Sequence, residues 1–88
     1  MKQIDIQTAL SSHGTFYAKQ WQSNGYYPID KFVWNSEKNM YEQFVKKSDK
    51  WVSHGCRGDN HYWQYVFEHT AFILSFEEMT QTRKYNCK

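Results

Sequence analysis

Leucine is almost missing from this sequence of 88 residues, which contains only Leu10 and Leu74. Helical bundles fill their cores with aliphatic side chains, so this shortage argues against a bundle. Aromatic residues make up 19% of the chain, and their large rings must fill most of the core instead. The composition therefore favours a β-sheet over a helical bundle.

The sequence also lacks long hydrophobic runs and a strong net charge. No apolar run reaches the roughly eighteen residues of a membrane-spanning helix, and the start MKQIDIQTAL lacks the uninterrupted hydrophobic stretch of a secretory signal. The formal net charge of +2 is too small to indicate nucleic-acid or membrane binding by itself. We therefore expect a soluble protein of the cytoplasm.

Cysteine is scarce as well, with Cys56 and Cys87 the two examples. Two cysteines without a secretory signal are more often free thiols than a disulfide. No repeat, low-complexity tract or linker-like stretch interrupts the sequence. We expect both thiols to be reduced and residues 1–88 to form a single domain.

The stretch from His61 to Phe76, HYWQYVFEHTAFILSF, holds the densest group of large apolar residues. Trp63, Tyr65 and Phe67 recur at every second position, which is the period of a half-buried strand. A helix is the alternative, because Trp63 and Phe67 would also share a helical face. Aromatic and β-branched residues pack better on a pleated surface, so we interpret the stretch as the central strand of the fold.

A capping signal and a hairpin signal place the first elements. Asp5 can cap an N-terminal helix, which Gly14 is expected to end in a left-handed conformation. The pair Asn24-Gly25 predicts a tight hairpin, whose two-residue loop places Tyr17 opposite Phe32. The first elements are then a helix and two strands, over Asp5 to His13, Thr15 to Trp21 and Tyr26 to Trp34.

Two further turns and a second capping signal follow. The polar segment 35–39 and the pair Ser48-Asp49 predict the two turns. Strands are therefore expected from Met40 to Lys47 and from Lys50 to His54. Ser75 and Glu78 form a capping box, which predicts a C-terminal helix from Phe76 to Lys84; a terminal edge strand is the alternative.

These elements predict an α+β fold with the order α-β-β-β-β-β-α. The sheet is small and antiparallel with four or five strands, and the N-terminal and C-terminal helices cover one of its faces. The residues expected deepest in the core are Leu10, Phe16, Val33, Phe44, Val52, Phe67, Ile73 and Leu74.

The aromatic surplus supplies the main functional hypothesis. A domain of this size cannot enclose four tryptophans, seven tyrosines and six phenylalanines at once, so some rings must face solvent. Tyr and Trp are typical anchors of protein interfaces. We expect a small non-enzymatic binding module that modulates or inhibits a protein partner, or a second copy of itself, through one face of the first hairpin. That face carries Tyr17, Trp21, Tyr26, Phe32 and Trp34.

In composition the chain resembles the small accessory proteins of bacteriophages and mobile elements, which are compact, leucine-poor and rich in aromatic residues, lysine and asparagine. Many such proteins block a host protein by binding it. The resemblance covers no specific motif. It implies a binding role in the cytoplasm of a host cell and assigns no residue.

A basic cluster supplies the second hypothesis. Lys46, Lys47 and Lys50 stand beside Trp51 in the sequence. Lysines next to an aromatic ring bind single-stranded nucleic acid through phosphate contacts and base stacking. Two nearby acidic residues dilute the cluster, and lysines on an edge strand also prevent edge-to-edge pairing. Single-stranded nucleic-acid binding is therefore the alternative to protein binding.

Metal and catalytic chemistry are the weaker alternatives. Side chains that zinc prefers occur at His54, Cys56, Asp59 and His61. Their spacing matches no familiar ligand pattern, so an ordinary polar loop is favoured. A small histidine-dependent ribonuclease is the third functional hypothesis, although His61 and His69 would lie about 26 Å apart on an unbroken strand. The sequence assigns no catalytic, cofactor or metal residue.

Overall fold

The computed structural model describes residues 3–20, 26–27, 29–56, 60–69, 72–79 and 82–83. In this part of the chain the helices are α1 Ile6–Ser11 and α2 Asn60–Glu68. The strands are β1 Thr15–Gln20, β2 Tyr26–Tyr27, β3 Ile29–Asn35, β4 Met40–Lys47, β5 Lys50–Cys56, β6 Phe72–Ser75 and β7 Thr82–Arg83. Neither of these helices is long and apolar enough to cross a membrane.

Five strands form one antiparallel sheet in the order β5-β4-β3-β1-β6, while β2 pairs with β7 in a separate ribbon. Both helices pack on the same face of the five-stranded sheet and share one hydrophobic core with it. The buried residues of this core are Ala9, Leu10, Phe16, Ala18, Phe32, Tyr41, Trp63, Phe67 and Leu74. The small α+β fold is confirmed, although its second helix lies elsewhere in the chain than predicted.

Helix α1 begins where the sequence predicts. The Asp5 carboxylate accepts a hydrogen bond from the Thr8 N–H at 2.7 Å, and this bond lowers the pKa of Asp5. The helix ends two residues before the predicted limit at His13. His13 takes the left-handed conformation (φ 53°) that was expected of Gly14, and its imidazole stacks on the Trp34 ring with centroids 4.0 Å apart.

The hairpin of β1 and β3 is offset by one residue from its predicted register. Phe16 pairs with Phe32 and Tyr17 pairs with Lys31, whereas Tyr17 was expected opposite Phe32. Successive side chains of a strand point to opposite faces, so the offset sends Tyr17 and Phe32 to different sides of the sheet. Phe32 is buried under the helices. The prediction that these two rings share one aromatic face is therefore wrong.

The predicted return strand from Tyr26 to Trp34 is divided. Its second part is β3, which pairs with β1 as expected. Its first part is β2, which pairs instead with β7. Trp21 and Pro28 lie outside the described residues.

The hairpins that join β3, β4 and β5 follow the prediction closely. Strand β4 has the predicted bounds, and a turn over residues 36–39 connects it to β3. Ser48 and Asp49 have φ values of 51° and 65°, which suit a two-residue turn whose twist matches antiparallel strands. Strand β5 continues past its predicted end at His54 to Cys56, with a register shift opposite Gln43 and Phe44.

The stretch interpreted as the central strand is a helix followed by a short strand. Helix α2 contains Trp63, Tyr65 and Phe67, so the prediction of a strand through these residues is wrong. Trp63 and Phe67 are buried while Tyr65 is 62% exposed, which is the pattern of one inward and one outward helical face. The end of the stretch forms β6, which is an edge strand rather than a central one.

Tertiary packing explains why the aromatic residues adopt the helical period. The Phe32 ring contacts the rings of Trp63 and Phe67 edge-on, at centroid distances of 4.9 and 5.5 Å. Helix α2 thereby covers sheet side chains that water would otherwise reach. This burial outweighs the preference of aromatic residues for strands, which depends on context.

The predicted C-terminal helix from Phe76 to Lys84 is also wrong. Residues 76–79 are not helical, and residues 82–83 form β7, in keeping with the strand alternative. The Ser75 hydroxyl accepts a hydrogen bond from the Glu77 N–H at 2.9 Å. This bond spans two residues and forms a local turn, which competes with the helix that a capping box would start.

Residues 76–79 cross the sheet face opposite the helices, and we call them the strap. Met79 is buried in a second, smaller hydrophobic cluster with Tyr17 and Ile29, against which Trp51 packs. These partners lie on β1, β3 and β5. The strap therefore runs from the edge strand β6 across the sheet towards β5.

Burial follows the predicted core near the helices and departs from it on the opposite face of the sheet and at the sheet edges. Leu10, Phe16, Phe67 and Leu74 are buried as expected, whereas Val33 and Phe44 are half-buried. Val52 and Ile73 are 41% and 42% exposed, so their predicted burial is wrong. Both lie on edge strands, which have a neighbouring strand on one side of the sheet alone.

Candidate functional site

The sheet face opposite the helices carries a compact group of aromatic and basic side chains, which we call the cation–aromatic face. Its members are Tyr17 on β1, Lys31 on β3, Phe44 and Lys46 on β4, and Trp51 on β5. Lys31 pairs across the strands with both Tyr17 and Phe44. Lys46 pairs with Trp51. Cross-strand partners on one face have Cβ atoms about 4.5 to 5.5 Å apart, so the register makes this surface continuous.

Two ammonium groups converge on the indole ring of Trp51. Lys31 Nζ lies 5.1 Å and Lys46 Nζ lies 5.2 Å from the Trp51 ring centroid. Lys31 Nζ is also 5.3 Å from the ring centroid of Phe44. These distances fall within the roughly 6 Å over which a ring face attracts a cation. The attraction holds both positive charges beside the ring.

Apolar side chains pack against Trp51. The Tyr17 ring lies 5.9 Å from the Trp51 ring at an angle of 50°, and Ile29 and Met79 are buried beside it. Burial raises the pKa of the Tyr17 phenol, and the negative charge of Glu78 raises it further. Tyr17 is therefore uncharged at neutral pH, and its ring contributes apolar surface rather than charge.

Glu78, on the strap, brings a carboxylate to this face. Its Oε2 atom accepts a hydrogen bond from the Trp51 Nε1–H at 3.4 Å and lies 3.8 Å from Lys46 Nζ. The Glu78 side chain is 58% exposed, whereas the Lys46 side chain is 22% exposed. An exposed acidic group thus meets two hydrogen-bond donors, an ammonium group and an indole N–H.

A second carboxylate, that of Glu42, lies further along β4 on the same side as Phe44. It accepts a hydrogen bond from the Ser53 hydroxyl on β5. The Ser53 oxygen in turn accepts a hydrogen bond from the Gly55 N–H at 3.1 Å. These hydrogen bonds hold the Glu42 carboxylate at the end of the cation–aromatic face, past Phe44 and away from Lys46.

The structure divides the basic cluster that the sequence singled out. Lys46 and Trp51 are cross-strand partners in direct contact, so the structure brings these two residues together. Lys47 and Lys50 pair with each other beside the turn, and strand alternation directs them to the other side of the sheet. Half of the predicted cluster therefore belongs to the cation–aromatic face.

Sequence reasoning missed Tyr17, Lys31 and Phe44 as members of this face. They lie on three strands and come together through pairing, which no local pattern specifies. One signal was available, because the alternation of MYEQFVKK places Phe44 and Lys46 on the same side of β4. The contribution of β1 and β3 required the correct register.

The five residues predicted to bind a protein partner do not form one surface. Phe32 is buried in the core, and Tyr17 lies on the opposite face of the sheet. Trp34 is half-buried on the helix side. Tyr26 belongs to the separate β2–β7 ribbon, and Trp21 lies outside the described residues.

Among the residues whose burial is described, exposed aromatic rings occur on α2 and at Phe76 on the strap. Tyr62 is 42% exposed, and Tyr65 is the more exposed of the two. The Tyr65 ring contacts the His69 imidazole with centroids 4.3 Å apart, so three rings lie along the outer side of this helix. The expectation that some rings face solvent is confirmed, whereas Tyr17 and Phe32 of the predicted face are buried.

The histidines expected to act in a ribonuclease lie on or beside α2. Eight helical positions separate His61 and His69 by about 12 Å, which is too far for an acid and a base to share one phosphate. His69 Nδ1 also lies 2.9 Å from the Tyr65 carbonyl oxygen. Within the described ranges no three His, Cys, Asp or Glu side chains lie together as a metal site would require; Asp59 is outside these ranges, and Cys56 is a free thiol.

Asp30 is a buried carboxyl on the helix side of β3, and 4% of it is exposed. Its Oδ2 atom accepts a hydrogen bond from Gln43 Nε2 at 2.8 Å. Burial raises the pKa of Asp30, while the Gln43 hydrogen bond and the charge of His54 lower it in part. Asp30 therefore binds a proton more readily in the folded protein than an exposed aspartate does.

The cation–aromatic face is the main concentration of interacting aromatic and charged side chains among the described residues. The face combines ring surface, two ammonium groups and an indole N–H beside the strap, which covers part of this side of the sheet. No family model matches the chain, and no curated protein or solved structure matches it.

Proposed function

We propose that this protein binds single-stranded nucleic acid on the cation–aromatic face. The observation that carries the proposal is the convergence of Lys31 and Lys46 on the Trp51 ring, at 5.1 and 5.2 Å. An aromatic ring offers a stacking surface to a base, and ammonium groups beside it offer partners to the flanking phosphates. These side chains support binding, and no catalytic step is assigned to them.

A single strand suits this face better than a duplex does. A base must be unpaired before it can stack on a protein ring, and open sheet faces with aromatic side chains present such rings. Lys31 Nζ lies near both the Trp51 and the Phe44 rings, at 5.1 and 5.3 Å. A phosphate bound by Lys31 would therefore have a stacking surface on either side.

Each lysine ammonium group can leave the aromatic ring and bind a phosphate instead, without any change in the backbone. A cation–ring contact at a partly exposed site is worth about 0.5 to 1 kcal/mol. A hydrogen bond to a charged group contributes about 1.5 to 3 kcal/mol, which is more than the contact it replaces. The flexible lysine stem allows the ammonium group to move to the stronger partner.

The modest charge of the protein makes the expected binding weak and dependent on salt. Two lysines neutralise at most about two phosphates, so the slope of log K against log salt should be no steeper than about −1.4 for a single strand. Stacking of one base adds about 1 to 3 kcal/mol. Such ligands occur inside cells, in keeping with the cytoplasmic location expected from the sequence.

Fluorescence anisotropy with a labelled deoxythymidine oligonucleotide of about ten nucleotides tests the proposal. Lys46→Gln should weaken binding about fivefold, which corresponds to about 1 kcal/mol. Lys38→Gln is the matched control, because it removes the same charge from the turn over residues 36–39, about 20 Å away along β4. Trp51→Leu should cost about 1 to 3 kcal/mol, and Trp51→Phe should retain much of the affinity because it keeps a ring.

Circular dichroism must first show that each variant is folded. Absence of binding by the wild-type protein at low salt would rule out the proposal. Equal losses in Lys46→Gln and Lys38→Gln would show that net charge alone, and not this face, attracts the oligonucleotide.

A protein partner, bound through the exposed rings of α2, is a second candidate function. Tyr62 and Tyr65 are exposed, and the Tyr65 ring contacts the His69 imidazole on the same side of the helix. Tyrosine contributes large contact area at little cost in conformational entropy, which favours it in interfaces. The inhibitory role suggested by the phage-like composition belongs to this candidate, as does association with a second copy of the chain.

Affinity capture from cell lysate, with sedimentation analysis of the purified protein, tests this second candidate. Tyr65→Ala should weaken the captured complex or the dimer by at least about 2 kcal/mol, the usual threshold for an interface hot spot. Glu68→Ala, on the same helix, is the control and should have little effect. A wild-type protein that stays monomeric and retains no partner would exclude this candidate.

A further inference from the structure

We propose that the Glu78 carboxylate occupies the position of a backbone phosphate of the ligand, so that nucleic-acid binding displaces it from Lys46 and Trp51. This inference rests on the proposed nucleic-acid function and names a subsite within it. The subsite has two donors, Lys46 Nζ at 3.8 Å and Trp51 Nε1–H at 3.4 Å from the same Glu78 oxygen. Both groups donate hydrogen bonds and neither accepts one, so they select an anion.

The contact of Glu78 with these donors is easily broken. The carboxylate is 58% exposed, and both of its distances exceed those of a short charge-assisted hydrogen bond. Exposed ion pairs contribute little in water. A phosphate carries more than one unesterified oxygen and can therefore bond to both donors with better geometry.

The strap allows Glu78 to leave without unfolding. The residue before it, Glu77, is held by the hydrogen bond from its N–H to the Ser75 hydroxyl. The residue after it, Met79, is buried against Tyr17 and Ile29. Since the backbone is anchored on both sides, displacement of Glu78 requires rotation of its side chain alone.

The rings beside the subsite favour a nucleotide phosphate over other anions. The Trp51 ring is itself one of the two donors and also the stacking surface, so a phosphate bound here places its base beside that ring. An acidic peptide would meet the two donors but has no flat base to stack on the indole. The subsite therefore fits a phosphodiester that is joined to a base.

The matched pair Glu78→Gln and Glu77→Gln tests the subsite, because both variants remove one negative charge from the strap. Among the described residues, the hydrogen bond that Glu77 makes is the one from its N–H to the Ser75 hydroxyl, which lies outside the proposed subsite. Oligonucleotide anisotropy titrations should show about fivefold tighter binding by Glu78→Gln than by the wild-type protein, which matches the upper range of an exposed ion pair. Glu77→Gln should change the affinity much less.

The salt dependence separates a displaced anion from a general charge effect. When a phosphate takes the place of Glu78 in the wild-type protein, the released carboxylate becomes solvated and attracts counter-ions. This uptake offsets part of the counter-ion release that makes binding depend on salt. Glu78→Gln has no such charge to release, so its slope of log K against log salt should be steeper by about 0.7, one phosphate contact. Glu77→Gln should keep the wild-type slope.

A spectroscopic measurement follows the same step directly. The Trp51 indole N–H resonance, identified by its loss in Trp51→Phe, should shift in Glu78→Gln and on addition of oligonucleotide to the wild-type protein. If the wild-type protein binds but Glu78→Gln and Glu77→Gln behave alike, the subsite is overturned and the proposed function stands. If neither the wild-type protein nor any variant binds at low salt, the subsite and the proposed function are both overturned. If Glu78→Gln binds polyglutamate more tightly than the oligonucleotide, the subsite is assigned to acidic proteins instead.

Discussion

The Tyr41 hydroxyl joins strand β4 to the end of helix α1. It donates a hydrogen bond to the Leu10 carbonyl oxygen at 2.9 Å, lies 3.2 Å from the Ala9 carbonyl oxygen, and accepts a hydrogen bond from the His13 N–H at 3.1 Å. Burial raises the pKa of this phenol, so it remains a donor at neutral pH. One side chain thus supplies hydrogen bonds to backbone groups at the last turn of the helix and just beyond it.

Tyr41→Phe should destabilise the protein by about 1 to 3 kcal/mol, because it removes a buried hydroxyl together with its hydrogen bonds to the Leu10 carbonyl oxygen and from the His13 N–H. Urea unfolding followed by circular dichroism measures the change. Tyr65→Phe removes the same atom from an exposed position on α2 and should change the stability by less than about 0.5 kcal/mol. Equal effects of the two variants would show that the Tyr41 hydroxyl contributes nothing specific.

Asp30 makes the stability depend on pH in a direction opposite to that of most carboxylates. Its pKa in the folded protein is raised above the ordinary value of 3.8, chiefly by burial. The native state therefore binds the proton more tightly than the unfolded state. The stabilising contribution of this group is complete below pH 3.8 and is lost as the pH rises through the folded-state pKa.

Asp30→Asn should therefore be more stable than the wild-type protein at pH 7, since the amide is neutral and can still accept the Gln43 hydrogen bond. The advantage should shrink as the pH falls and disappear below about pH 4. Thermal unfolding midpoints at a series of pH values measure it, with Asp49→Asn in the exposed turn as the control. A destabilised Asp30→Asn at pH 7 would show that the ionised carboxylate gains more from His54 than it loses by burial.

At the scale of elements, the helical structure of α2 predicts a different pattern of mutational effects from the one that a strand would give. Phe67 is buried and Tyr65 is exposed, although a strand would place both on one face. Phe67→Ala should cost about 3 to 5 kcal/mol, and Tyr65→Ala on the same helix should cost less than about 1 kcal/mol. Chemical unfolding of both variants measures the difference, and similar losses would contradict the helical assignment.

The sequence predicted correctly those elements whose structure depends on a few neighbouring residues. The Asp5 cap acts on the N–H three positions later, and the Ser48-Asp49 turn joins its two strands directly, so both depend on a few adjacent residues. The bounds of β4 follow from the turns on either side. By contrast, the helix signal at Ser75 and Glu78 failed, because burial of Met79 under the sheet holds this segment in a strap.

At the scale of the whole molecule, the five-stranded sheet joins two hydrophobic clusters. Among the described residues, nine buried ones form the larger cluster under the helices, and Tyr17, Ile29 and Met79 form the smaller one on the opposite face. Neighbouring residues of β1 and β3 alternate between the two clusters. Neither cluster can therefore lose its packing without disturbing the strands that carry the other.

We therefore expect one cooperative unfolding transition. Urea midpoints from far-ultraviolet circular dichroism, which reports the backbone, should coincide with those from the fluorescence of the four tryptophans, which include Trp51 and Trp63 on opposite sides of the sheet. Trp51→Phe should leave a fluorescence transition dominated by the larger core at the same midpoint as the circular dichroism. Two separated midpoints would show that the strap side unfolds independently.

The sequence by itself determined the α+β class, the positions of the β3, β4 and β5 hairpins, the start of α1 and the presence of surplus rings at the surface. Caps and turns act over a few residues, and composition limits what a core of this size can hold. Tertiary structure alone decided that Trp63 and Phe67 lie on a helix, and that Tyr17 pairs with Lys31. A shift of one residue in register exchanges the two faces of a strand, and that choice depends on packing between distant segments. The cation–aromatic face exists because the packed sheet selected one of these two registers.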